Sequence, residues 1–361
     1  MTGQSSETVV PVLVTGTDGV FHAEVEAGSL RQVSLLPGPG VVTGSRPTWA
    51  ARHGRGLSVR VSVEAADVPL VAGENASSLR PLPPLPRAGR PARLRAVCDD
   101  GTTLADIPED RSPVDRLDEA VLYVLPWGAS TWQAVEVPET FRLRQPVGME
   151  GSAVLLAGTI GTPPLRRAPE RAALFTLDLE ANTLTARPLP SVRPRRGLLD
   201  RFVRVSADPI RTELFGGAVR RNMLVAGSTF VHGTLTYPDT DFTILHAIDL
   251  EHDSWSTVRL RAEEQITAWH VDEERTAHAL SGRLDLWSCS PNRRWRRLPL
   301  RRALARVLGE PAKELRLSSG RLTEDRVLLT VNRTVAACAL DGTGLEVLYR
   351  FADDETDVVC L

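Results

Sequence analysis

A single lysine, Lys313, stands among 43 basic residues, so arginine supplies nearly all the positive charge. A GC-rich bacterial genome produces such a bias by coding alone. That scarcity excludes the nucleotide-binding P-loop, which needs Gly before its Lys, because Ala312 precedes this one. Cysteine is also sparse: Cys98, Cys289, Cys338 and Cys360 are scattered, with no CxxC or Cys/His spacing suited to zinc. Isolated thiols fit a reducing cytosol better than a disulfide framework. No stretch approaches the roughly eighteen uncharged apolar residues of a membrane helix. The opening MTGQSSETVV has neither a basic n-region nor an apolar h-region, so no secretory signal is expected and the location is read as cytoplasmic. Neither G-x-S-x-G nor H-E-x-x-H occurs, which removes the activated-serine elbow and the helical zinc site. No metal and no cofactor is expected.

What the chain does have is a recurring phrase. Residues 245–261, LHAIDLEHDSWSTVRLR, read as an apolar strand, a polar turn and an alternating strand. The phrase returns at 174–190, 122–139 and 284–300, and in weaker form at 21–37, 69–86 and 335–351. Its last strands open on Leu30, Leu79, Trp132, Leu184, Trp255, Trp295 and Leu345, 40 to 71 residues apart. A strand-and-turn repeat near this period predicts a propeller or a related array. One unit alone cannot cover both faces of its sheet, so neighbours must. The expectation is an all-β, seven-bladed β-propeller with four strands per blade, occupying residues 1–361 as one domain. Its blades are placed at 10–37, 46–86, 93–139, 141–190, 202–261, 265–300 and 314–351. The first blade lacks an inner strand and residues 356–361 lack a blade, so the tail is expected to close the ring. Trp132, Trp255 and Trp295 are expected to be buried equivalents between blades. RRALARVLG at 301–309 has helical apolar spacing and a glycine stop, and predicts a short inserted helix.

Two strands, AVLLAG at 153–158 and NMLVAG at 222–227, end in Ala-Gly. Here the chain resembles the Kelch-type propellers, a family that carries Gly-Gly at that place. A seven-residue step to the Trp position is kept from Ile248 to Trp255, Leu177 to Leu184 and Leu125 to Trp132. Several Trp positions hold Leu. The start, VLVTGTDGVFHAEV, also looks like the opening of an Asp-box blade, although no S-x-D-x-G-x-T-W follows. The resemblance implies a propeller, and with it a protein-binding module more often than an enzyme.

Chemistry-bearing patterns are few. Of seven histidines only His246/His252 and His270/His278 lie close in sequence, and neither pair has the two-residue spacing that points strand side chains the same way. Tyr123, Tyr237 and Tyr349 are the only tyrosines. Arg95, Arg144, Arg204 and Arg316 fall on presumed inner strands, where guanidinium groups could converge on an anion in the channel. Arg293, Arg294, Arg296 and Arg297 flank Trp295, a pattern nucleic acid can use. Trp295 is a core anchor of the repeat and the chain carries a net −2, so a nucleic-acid partner is not expected.

The long connections fall on one side of the predicted ring, and seven of them together carry +6, leaving −8 elsewhere. Insertions gathered on one face of a repeat ring mark a binding surface. The candidate partner-binding residues are Arg166, Arg167, Arg193, Arg195, Arg196, Phe230, Tyr237, Arg301 and Arg302. The partner is expected to be another protein with an acidic surface. The function expected is a non-catalytic scaffold or sensor subunit; the alternative is a lyase or hydrolase acting on an anionic substrate in the central funnel.

Overall fold

The computed structural model describes residues 10–16, 19–26, 28–35, 46–53, 56–63, 66–73, 80–83, 93–97, 101–106, 122–135, 141–150, 153–160, 171–181, 183–188, 211–231, 242–252, 254–260, 264–352 and 357–360. Among these residues the chain is nearly all strand, in seven four-stranded antiparallel sheets. The first contains β1 (Val10–Gly16), β2 (Gly19–Glu26) and β3 (Ser29–Leu35), and the second β4 (Arg46–His53), β5 (Gly56–Val63), β6 (Ala66–Gly73) and β7 (Arg80–Pro81). The third is β8 (Arg93–Val97), β9 (Thr103–Asp106), β10 (Leu122–Leu125) and β11 (Gln133–Val135). The fourth is β12 (Phe141–Glu150), β13 (Ala153–Ile160), β14 (Arg171–Asp178) and β15 (Thr183–Pro188). The fifth is β16 (Arg211–Arg220), β17 (Met223–Val231), β18 (Phe242–Asp249) and β19 (Ser254–Arg259). The sixth is β20 (Ile266–Val271), β21 (Ala277–Ser281), β22 (Asp285–Cys289) and β23 (Arg296–Pro299). The seventh is β24 (Leu317–Leu322), β25 (Arg326–Val331), β26 (Thr334–Ala339) and β27 (Glu346–Arg350). A last strand, β28 (Asp357–Cys360), pairs antiparallel with β1, Val12 opposite Cys360 and Thr15 opposite Asp357, and completes the first sheet in the order β28-β1-β2-β3.

Strand alternation explains how the sheets pack. On β13, Val154 and Leu156 join a core with Leu104, Leu122 and Val124 of the third sheet. Leu155 between them faces Leu224 and Ala226 of the fifth. On β17, Met223 and Val225 point the other way, toward Val271 and Ala277 of the sixth sheet. Because β13 and β17 are buried on both faces, they read as continuous apolar runs such as AVLLAG rather than as alternation. Val327 and Leu329 pack on the sixth sheet, while Leu328 packs with Val10, Val12 and Val358 of the first. First strands from successive sheets touch in the order β8, β12, β16, β20, β24, β28 and β4. The close approach has a cost in side-chain room: a Cβ at Gly320 would lie 2.3 Å from Leu280 Cδ2. Successive four-stranded meanders packed face to face make a β-propeller-like arrangement.

The repeated aspartate of the phrase has a local cause. Asp178 Oδ1 accepts the amides of Glu180 and Ala181 at 2.9 and 3.0 Å. Asp249 Oδ1 does the same for Glu251 and His252 at 3.1 and 3.2 Å, and Asp341 for Thr343 at 2.8 Å. Each aspartate satisfies donors that the turn takes out of the ladder. The seven-residue step also has a plain origin: Ile248 and Trp255 are cross-strand partners, as are Leu177 and Leu184.

The expected insert is a helix, α1 (Arg301–Leu308), holding Leu304 and Leu308 in the core between the last two sheets. Gly309 ends it at φ 70°, and the Glu310 amide closes back on Ala305 O at 3.1 Å. The seventh sheet's first strand begins at Leu317 rather than 314, and residues 202–210, expected to open the fifth blade, lie outside the described residues. Leu30 is 38% exposed because β3 is an outer strand. Of the three tryptophans only Trp132 is fully buried; Trp255 and Trp295 are half-buried at the rim.

Candidate functional site

Most of the arginines expected to contact a partner or an anion fall outside the described residues: Arg166, Arg167, Arg193, Arg195, Arg196 and Arg204, together with Tyr237. Phe230 lies on β17, opposite Thr212 on one side and Phe242 on the other. Arg301 and Arg302 both belong to α1 but do different things. The Arg301 guanidinium donates to the carbonyls of Arg283 (3.1 Å), Ala312 (2.7 Å) and Leu315 (3.1 Å). It ties the helix to the β21–β22 turn and to the entry of the seventh sheet. Arg302 is exposed, as are Arg306 and Val307 beside it.

The four arginines expected on inner strands are not equivalent. Arg95 and Arg144 each occupy the extra residue of a β-bulge, between Leu94 and Ala96 and between Leu143 and Gln145, on the touching strands β8 and β12. Thr48, Gly216, Thr267 and Ser318 hold the extra residue in β4, β16, β20 and β24. Arg316 precedes β24, is exposed, and uses its amide to donate to Asn332 Oδ1 at 2.8 Å. In the basic run around Trp295, Arg297 pairs with Asp285 at 2.7 Å and the indole Nε1 donates to Ser256 O at 3.3 Å. Trp295 is a packing residue with its rim to solvent, not a free stacking surface.

A different group of ionisable side chains converges where three adjacent sheets meet. His270 and His278 are direct cross-strand partners on β20 and β21, with stacked rings 6.5 Å apart at 27°. His278 Nε2 lies 3.0 Å from Asp272 Oδ2, while Asp272 Oδ1 accepts the Thr276 amide at 2.7 Å. From the seventh sheet Glu324 brings Oε1 within 3.7 Å of His270 Nε2, and from the fifth Arg220 contacts the same carboxylate. Burial, His278 and the nearby Arg220 push the His270 pKa down to about 4, and Arg321 adds to the effect; Asp272 opposes it. Both Glu324 oxygens, His270 Nε2 and His278 Nδ1 are buried without a hydrogen-bond partner. Sequence spacing missed this pair because eight residues separate two strand positions brought opposite by a hairpin. The signal was there in the turn between them, where Asp272 can cap Thr276.

A second group, Asp249, Glu251 and His252, brings three potential ligand atoms within 4.8 Å. Its lone pairs are already used: Asp249 takes Arg275 at 2.7 Å and His252 Nδ1 at 3.0 Å, and Glu251 takes Arg275 at 3.3 Å. Those bonds, chiefly the one from His252, hold Asp249 below the usual carboxylate range although burial opposes them. This is a turn anchor.

His246 is fully buried, accepts the Trp255 indole N–H on Nδ1 at 3.0 Å, and burial pushes its pKa down to about 3. The unfolded chain therefore binds this proton first as pH falls. Stability from His246 is complete above about pH 6.5 and declines toward about pH 3, by about 1.4 kcal/mol per pH unit. His246→Leu is expected to flatten that part of the stability–pH curve, measured by urea unfolding; an unchanged slope would mean that His246 does not carry it.

No helix among the described residues is long and apolar enough to cross a membrane. No family model and no curated protein sequence matches the chain. Solved structures do align with it. A structure from a study of two prolyl endopeptidases matches 97% of this chain at TM-score 0.48 and 11% identity. A polysaccharide lyase of family PL25, an ulvan lyase, covers 93% of this chain and is itself covered for 89%, at TM-score 0.48 and 8% identity. YCF48 from Cyanidioschyzon merolae aligns over 84% of both chains at TM-score 0.45 and 9% identity. The chain spans 50% of the length of the prolyl endopeptidase chain it matches.

Proposed function

We propose that the chain is a single-domain, seven-bladed β-propeller of Kelch-like type, closed by β28, which acts in the cytoplasm as a non-catalytic scaffold. Its loop-bearing, arginine-rich face would receive an acidic protein surface. The observation that carries this reading is α1. Leu304 and Leu308 anchor it in the core and Arg301 ties it at three carbonyls, so Arg302, Arg306 and Val307 are presented on a fixed support. A held helix with two cations and an aliphatic contact loses little freedom on binding, which favours affinity. Between Asp285 and Glu310 the chain has seven arginines and no acidic residue, which supports an acidic partner. Arg166, Arg167, Arg193, Arg195 and Arg196 would extend the same face.

The test reverses Arg302 and Arg306 to Glu and leaves Arg301 alone, because its role is structural. The double variant is expected to melt within about 2 °C of the parent, as surface changes away from caps and cores do. It should lose the partner that the parent retains in a salt-graded affinity column. Retention of the same partner at the same salt would remove α1 from the binding face. The alternative, a lyase or hydrolase working on an anion in the funnel, is favoured by the matched bulge positions of Arg95 and Arg144. Under that reading Arg95→Ala/Arg144→Ala abolishes turnover of an anionic substrate while partner retention persists.

A further inference from the structure

We propose that His270, His278 and Glu324 form a binding site for a divalent transition metal of the Zn2+ or Co2+ kind, held shut by Arg220. The case is independent of the scaffold reading. His270 Nε2 and His278 Nδ1 are buried without a hydrogen-bond partner, and the buried Glu324 carboxylate, itself without a hydrogen bond, is ion-paired to Arg220. Folded proteins rarely leave buried polar atoms so, and several together point to a partner from outside the chain. A carboxylate can only accept, so Asp272 Oδ2 fixes the proton of His278 on Nε2 and leaves a lone pair on Nδ1. The His278 side chain is 6% exposed, which keeps that lone pair away from bulk water. His270 Nε2 already stands 3.7 Å from Glu324 Oε1.

Two imidazole nitrogens and one carboxylate are a donor set that suits zinc and its neighbours, with positions left over for water. Asp272 takes the supporting role that carboxylates play behind ligating histidines, and the Thr276 amide steadies it in turn. The contrast with Asp249, Glu251 and His252 is instructive. That group is closer knit, but Arg275 and the turn amides consume its lone pairs, so a cation gains little there. At the three-sheet junction the two imidazole nitrogens are unsatisfied, and the donor atoms are not all within 4.8 Å of one another. Arg220 holds the Glu324 carboxylate, and metal loading requires that contact to break. The Arg220 side chain is 42% exposed, so solvent is open to it when it lets go.

The experiment is calorimetric titration of Zn2+ into the full chain after dialysis against chelator, with Co2+ absorption as a spectroscopic check. One equivalent is expected to bind. His270→Ala and His278→Ala should remove binding, and Asp272→Asn should weaken it about 10- to 100-fold, as loss of a supporting carboxylate does. Glu324→Gln should weaken it and change the Co2+ spectrum of the loaded site. Arg220→Ala should tighten it, a gain that a purely structural ion pair would not produce. Glu324→Gln and Arg220→Ala alter partly exposed side chains, so they stay informative should a histidine variant fail to fold. No binding by the parent chain would overturn the proposal, with water as the partner of these atoms. Binding that survives Glu324→Gln but is lost in Glu251→Gln/His252→Ala would overturn it equally.

Discussion

Removing residues 357–361 is expected to leave a protein that is either insoluble or melts at least about 10 °C below the parent. β28 supplies the fourth strand of the first sheet, and its loss exposes the ladder edge of β1 from Val12 to Thr15. Val358 and Cys360 are 3% and 6% exposed and pack with Val10, Val12, Leu328 and Val335. Burying side chains of this size is worth about 1.5–3 kcal/mol each. The strand also joins the first sheet to the last: Ser319 Oγ donates to Val358 O at 3.3 Å and accepts the Cys360 amide at 3.0 Å. At about 2–4 °C per kcal/mol, losses of this size reach the stated shift, and the bared edge invites aggregation. Differential scanning calorimetry of the truncated chain, with light scattering to catch association, makes the measurement. A truncated protein that is monomeric and melts with the parent would show that β28 does not hold the first and last sheets together. The pairing would then be incidental to the fold.

The repeat was legible because its parts are local. Asp178, Asp249 and Asp341 each cap a turn two or three residues away, so the phrase could be found without knowing what packs on it. The seven-residue step from Ile248 to Trp255 marks a hairpin pairing, which many β folds share, and it therefore carries the hairpin and not the family. The tail's pairing followed from counting strands. Side-chain roles were harder. Arg301 and Arg302 are neighbours in a run of arginines, yet one satisfies three carbonyls and the other faces water. Only the path of the chain after the helix decides which. His270 and His278 looked unrelated at eight residues apart, because the two-residue rule applies along one strand and not across a hairpin. Glu324 and Arg220 join them from sheets whose sequences lie about fifty residues to either side. No spacing rule reaches that far.

Trp132→Ala is expected to cost about 3–5 kcal/mol, the range for truncating a buried aromatic, and to exceed the cost at Trp255 or Trp295. Trp132 is 6% exposed and packs with Ala105, Tyr123 and Leu125 of its own sheet and Leu82 of the second. Its indole Nε1 donates to Pro83 O at 2.8 Å across 49 residues of chain. This contact sits beside a cavity of about 380 Å3 between the second and third sheets, lined in part by Val71, Leu82, Thr103, Leu125 and Trp127. Truncation would remove the indole beside this cavity and leave the Pro83 carbonyl without its donor. Trp255 and Trp295 are half-buried, so part of their surface never leaves water. Trp132→Phe separates the two contributions: it keeps most of the volume and leaves Pro83 O without its donor, at about 1–3 kcal/mol. Urea unfolding of the three alanine variants and Trp132→Phe gives the ranking directly. Equal midpoints for Trp132→Ala and Trp255→Ala would mean that the junction between the second and third sheets does not depend on this indole.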